Sequence, residues 1–115
     1  MVKEIPTKEP LYSCLGADPE LAEIVEMFVQ ELPNRIAVLL DQLDASNWGE
    51  LCRTVHQLKG AAGSYGFDAI TSCAERLEDV LRQDVSFEKI CEMVDALVEM
   101  CNRVRTGTPG EELGG

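Results

Sequence analysis

The chain has 115 residues, 21 acidic against 10 basic, a net charge of -11, and is 45% hydrophobic. That length suits one domain with a single core and no disulfide or metal staples, and the composition is too apolar for a disordered chain. The acidic balance opposes contact with phosphate backbones and anionic lipid surfaces, so neither nucleic acid nor a membrane is an expected partner.

No apolar run approaches the roughly 18 residues needed to span a bilayer. The segment from Met1 to Lys8 lacks the apolar core of a signal peptide, so the expected location is the cytoplasm. Cys14, Cys52, Cys73, Cys91 and Cys101 are odd in number and form no close pair. They read as reduced thiols serving as small hydrophobes.

Residues 1–17 carry Pro6, Pro10 and Gly16 without a sustained period, which predicts an arm lying over the domain, anchored by Leu11, Tyr12 and Leu15. Asp18-Pro19-Glu20 starts a helix: an N-cap acceptor, proline at the first helical position and an acid in the first turn. Its apolar stripe runs through Leu21, Ile24, Val25, Phe28, Leu32, Ile36, Leu39, Leu40 and Leu43. Pro33 removes a backbone donor within it, predicting a kink near Gln30 to Pro33 or a split there; the unchanged phase of the stripe favours a kink.

Asn47, with Glu50 three residues later, has the form of a capping box opening a second helix from Trp48 to about Tyr65, with Gly66 as its left-handed terminator. A third helix is predicted from Asp68 to about Arg82, burying Ile70, Cys73, Ala74, Leu77 and Leu81. The fourth is capped by Ser86 and buries Phe87, Ile90, Cys91, Val94, Leu97, Val98, Cys101 and Val104. Four amphipathic helices with short connections predict an all-α, antiparallel up-down four-helix bundle over residues 18–105, with residues 106–115 as a flexible tail.

The only histidine, His56, lies on the shoulder of the second helix, roughly 110 to 120° from the middle of its core stripe of Trp48, Leu51, Val55, Leu58, Ala62 and Tyr65. Lys59, Gly60 and Gly63 follow at i+3, i+4 and i+7, on the same flank. Each helix glycine costs about 1 kcal/mol relative to alanine, so something other than helix stability keeps that flank bare. Across the short Gly66-Phe67 turn, Glu78 stands at the level of His56 and is positioned to accept a hydrogen bond from Nδ1–H, leaving Nε2 with a free lone pair. Residue types alone also leave open a solvated surface histidine and a solvated Glu78. Cys52 and His56 are half of a zinc-ligand set, but no second pair completes it, so no metal is expected.

The run His-x-Leu-Lys-Gly-x-Ala-Gly-x-Tyr-Gly from His56 to Gly66 closely resembles the signature of histidine-containing phosphotransfer (Hpt) domains of phosphorelay signalling. The resemblance extends through Phe28, Glu31-Leu32-Pro33, Asn47-Trp48 and Leu77-Glu78, covering about Asp18 to Arg105. At Gly66-Phe67 and Glu78 the chain also resembles the phosphorylated N-terminal domain of chemotaxis histidine kinases. The resemblance implies that His56 is phosphorylated reversibly on Nε2 by the aspartyl phosphate of a receiver domain and passes the group to another receiver. Lys59 would offset charge on the phosphoryl oxygens, Gly60, Gly63 and Gln57 would meet the receiver, and Glu78 would orient the ring. Where Ala61 stands the family usually has a small residue such as serine, so a hydroxyl contact of some members would be missing here.

The expected partners are response-regulator receiver domains and a hybrid sensor histidine kinase, with the chain itself a monomer. A neutral imidazole, of reference pKa near 6.5, is a competent nucleophile at cytoplasmic pH. The chain has no glycine-rich nucleotide loop, so ATP-dependent kinase activity of its own is not expected, nor is any cofactor on this chain. Mg2+ belongs on the partner receiver. Two other readings predict different outcomes: a docking module that inhibits a receiver or kinase without taking the phosphate, and a purely structural bundle that binds no receiver.

Overall fold

In the computed structural model, which describes residues 10–83 and 85–106, the chain forms four helices, α1 (Pro19–Asp44), α2 (Trp48–Ser64), α3 (Asp68–Leu81) and α4 (Phe87–Asn102). Their starts follow from side-chain chemistry. The Asp18 carboxylate accepts the Glu20 amide at 2.9 Å, Asn47 Oδ1 the Glu50 amide at 3.5 Å and Ser86 Oγ the Lys89 amide at 3.1 Å. Each satisfies an amide that the first helical turn leaves without a backbone partner. α3 has no side-chain cap and is instead tied at its start by the buried Phe67.

α1 packs on α2 and more sparingly on α4, α2 packs on α3, and α3 on α4. Val25, Phe28, Leu32, Leu39, Leu51, Val55, Leu58, Ile70, Leu77, Val94 and Leu97 fill the space between them. α1 runs unbroken through Pro33, so of the two expected alternatives, a kink or a split, the less favoured split does not occur. Phe28 and Leu32 before the proline and Leu39 and Leu43 after it are buried in one core, which holds both halves in phase despite the missing donor.

Several residues of the predicted stripes face water. Ile24 and Leu40 are exposed because each lies one residue, about 100° of helix rotation, from a buried neighbour, Val25 and Leu39. Trp48 and Phe87, predicted to be buried, are 37% and 53% exposed. They are the first residues of α2 and α4, beyond the packed core, and cover each other with ring centroids 5.9 Å apart. Leu81, Cys91 and Val98 are half-buried at the core's margin. Cys73 and Cys101 are buried and all five cysteines are free; burial pushes the Cys101 thiol up to about 12.

The arm has a definite structure over its described part. Leu11–Tyr12 forms a short strand, β1, pairing in parallel with β2 (Val104–Arg105) just beyond α4. Val104 is therefore buried, as its apolar character predicts, but from a strand rather than the helix. Residues 1–9 of the predicted arm and 107–115 of the predicted tail lie outside the described residues. Ser13 is buried, donates its hydroxyl to the Tyr65 carbonyl and accepts the Leu15 amide at 2.9 Å, while the Cys14 amide donates to the Gly66 carbonyl at 3.0 Å. The arm thus grips the turn between α2 and α3. Phe28 of α1 grips the same turn, stacked against Tyr65 at 5.1 Å and Phe67 at 5.6 Å.

Gly66 has φ +85°, the left-handed terminator the sequence predicts, and a Cβ there would run into the Ser13 hydroxyl. Gly66→Ala is therefore expected to cost about 2 kcal/mol or more, since the left-handed conformation alone costs an L-residue about 1–2 kcal/mol. Urea unfolding measures this, and a midpoint unchanged from wild type would refute it. Among the described residues, no helix is long and apolar enough to cross a membrane.

Candidate functional site

α2 carries the histidine and α3 its partner. The hairpin closed by the Tyr65-Gly66-Phe67 connection brings residues equally distant from Phe67 face to face: His56 eleven positions before it, Glu78 eleven after. The His56 side chain is 61% exposed and that of Glu78 only 2%, with His56 Nδ1 at 2.7 Å from Glu78 Oε2. Lys59 Nζ lies 2.8 Å from Glu78 Oε1, and the Arg82 guanidinium 2.8 Å from Oε2. One buried carboxylate thus holds three nitrogen groups.

The Lys59 ammonium, foremost, and then His56 and Arg82 hold the Glu78 carboxyl below the usual carboxylate range, against the opposing effect of burial. The same hydrogen bond raises the Lys59 ammonium above its ordinary value. An ionised carboxylate only accepts hydrogen bonds, so the imidazole must donate Nδ1–H to it. The neutral ring then carries its lone pair on Nε2 of a largely exposed side chain. Lys59, Arg82 and the Glu78 carboxylate together carry one net positive charge, in a chain whose total is -11.

A family model described as the Hpt domain matches residues 23–107. The chain belongs to the Hpt family. Comparison with curated proteins and with solved structures gave no match. Hpt domains are helical phosphocarrier modules rather than kinases, and they act in phosphorelay signalling with receiver domains and histidine kinases.

In this Hpt domain the two helix glycines have different surroundings. A Cβ on Gly60 would meet nothing within 4 Å, so that position is bare toward solvent. A Cβ on Gly63 would meet Thr71 Oγ1 at 3.3 Å, and the Thr71 hydroxyl donates to the Lys59 carbonyl at 3.2 Å. Gly63 therefore leaves room for a side chain of α3, and a large residue there would disturb the α2–α3 contact as well as any visitor. Gly60→Ala is expected to raise stability by about 1 kcal/mol through helix propensity alone. If a receiver docks over this flank, Gly60→Leu is expected to fold as well as wild type yet slow receiver-dependent phosphorylation by about tenfold or more, through loss of close approach. Unfolding curves and initial phosphorylation rates on the same samples check both, and an unslowed leucine variant would remove Gly60 from the docking surface.

Gln57 is exposed beside His56, and Ala61 is half-buried. Cys52, one turn before His56, is half-buried; among the described residues no group of three His, Cys, Asp or Glu side chains is arranged to hold a metal ion. Sequence reasoning missed Arg82 and Thr71. Both had a signal: Arg82 lies four residues, one helical turn, after Glu78 at the end of α3, and Thr71 lies four after Phe67 as Gly63 lies four before.

Proposed function

We propose that His56 is the phosphoacceptor and that this chain relays a phosphoryl group between receiver-domain aspartates. The observation that carries this is an exposed imidazole whose Nδ1 is held 2.7 Å from a buried, ionised carboxylate. The Nε2 lone pair attacks the phosphorus of a receiver's aspartyl phosphate, forming the N–P bond while the P–O bond breaks and its electron pair returns to the aspartate. No proton need leave: the ring keeps Nδ1–H and becomes a positively charged phosphoimidazolium, and the Glu78 carboxylate stabilises that charge as it develops. Lys59 turns from Glu78 to the phosphoryl oxygens, and positioning plus charge neutralisation suffice for such transfer. Reversal onto a second receiver's aspartate completes the relay.

Gly60, Gln57 and the exposed Gly63 form the open flank on which the receiver rests, Gly63 also leaving room for Thr71. The chain itself needs no cofactor, the receiver supplying Mg2+, and it works as a cytoplasmic monomer between a hybrid sensor histidine kinase and response regulators. The helices run alternately up and down, a reading supported by the three-residue α2–α3 connection and by Trp48 and Phe87 meeting at the starts of α2 and α4. The test is incubation with phosphorylated receivers followed by mapping of the acid-labile phosphate. Label at any residue other than His56 would refute the assignment.

A further inference from the structure

Arg82 is unexplained by the transfer step itself. It is the first residue beyond α3, its side chain is 62% exposed, and it reaches back one turn to Glu78 Oε2, the oxygen that also accepts from His56. Lys59 is bound to the other oxygen, Oε1. The two cations are therefore separable: Lys59 is able to leave without disturbing the oxygen that holds the ring. Departure of Lys59 toward a phosphoryl group removes the strongest influence keeping Glu78 ionised, while burial of the carboxyl continues to favour its neutral form. A protonated Glu78 no longer offers an anion to the phosphoimidazolium, and the ring is released.

Building on the reading of His56 as phosphoacceptor, we propose that Arg82 is a positioning residue that keeps Glu78 anionic and seated on Nδ1–H during the interval in which Lys59 serves the phosphoryl group. The charged groups facing Glu78 are His56 and Lys59 from α2 and Arg82 from the end of α3, with Glu75 of α3 acting on Lys59. Arg82 is thus the fixed cation left on the carboxylate once Lys59 has moved. Its planar guanidinium suits this task, being always charged and able to share an oxygen that already accepts another donor. The need for it is specific to the phosphorylated state, because in the free protein Lys59 is still in place.

That state dependence is the test. The full chain, wild type and Arg82→Gln, is phosphorylated with phosphoramidate as a small donor. The Glu78 carboxyl carbon and the His56 ring nitrogens are then followed by NMR against pH, in the free form and in freshly phosphorylated samples, each read at its pH before the acid-labile phosphate is lost. In the phosphorylated form Arg82→Gln is expected to raise the Glu78 titration midpoint by about one pH unit, a tenfold change in proton affinity. The expected shift in the free form is less than half of that, and Arg82→Lys restores most of it.

Equal shifts in the two forms, or none in the phosphorylated form, would overturn the proposal. Arg82 is largely exposed, so folding of the glutamine variant is not at issue, and matched thermal unfolding verifies it. Failure of the wild type to be labelled at His56 would overturn the phosphoacceptor reading and this proposal together. A wild type labelled at His56 with an unaffected Arg82→Gln variant overturns only the role of Arg82.

Discussion

His56→Gln is expected to lose receiver-dependent labelling by more than about 1,000-fold, to background, while unfolding at the same denaturant concentration as wild type. The side chain is largely exposed and contributes little to the core, and the glutamine amide is able to donate to Glu78 in place of Nδ1–H, so the buried carboxylate is not left short of a partner. No other histidine exists in the chain to take over. The phosphate on the wild type is expected to be lost in acid and kept in base, as a phosphoramidate is. Labelling that survives the substitution would mean that another residue accepts the group.

Glu78→Gln should produce the second largest effect, and on two separate observables. Removing the anion leaves His56, Lys59 and Arg82 together without a countercharge, and a neutral amide does not select the Nδ1–H tautomer. Losing a ring-orienting partner of this kind typically costs about 10- to 100-fold in activity. The expected loss in initial transfer rate is of that size, measured with the same donor receiver.

Stability should also change its dependence on pH. The Glu78 carboxyl is held below its ordinary value of 4.5 in the folded chain, so its contribution is fully present above that value and disappears as the pH falls through the lower folded value. Wild type therefore loses this contribution below about pH 4.5, and the glutamine variant lacks that part of the acid limb. At the alkaline end the Lys59 ammonium is held above its ordinary 10.5, so its contribution persists up to that value and is lost as the pH rises through the higher folded one. Urea midpoints between pH 3 and 11 would show whether both limbs flatten in the variant, on the order expected for loss of a shared ion pair. Parallel curves would separate Glu78 from both.

What was readable in advance follows rules that need only near neighbours. Asp18, Asn47 and Ser86 cap helices because their side-chain oxygens meet amides two or three residues on. Gly66 ends α2 because only glycine takes its φ without strain. The closeness of His56 and Glu78 followed from counting equal distances on either side of a short turn, and the same count, carried one step further, pairs Gly63 with Thr71. Most of the readings that failed concern rotation and depth: Ile24 and Leu40 sit one residue off the buried stripe, and Trp48 and Phe87 sit one turn beyond the core. Element type failed at Val104, which lies on β2 rather than α4.

By itself the sequence determined four amphipathic helices, their caps and breaks, and a lone histidine on a flank stripped by glycine, because each depends on local period and chain stereochemistry. Tertiary structure alone decided the burial of Glu78, the convergence of Lys59 and Arg82 on its two oxygens, and the pairing of Leu11–Tyr12 with Val104–Arg105. The burial of a charged side chain is set by what packs over it from another helix. The strand pair joins segments more than ninety residues apart, for which no local preference exists.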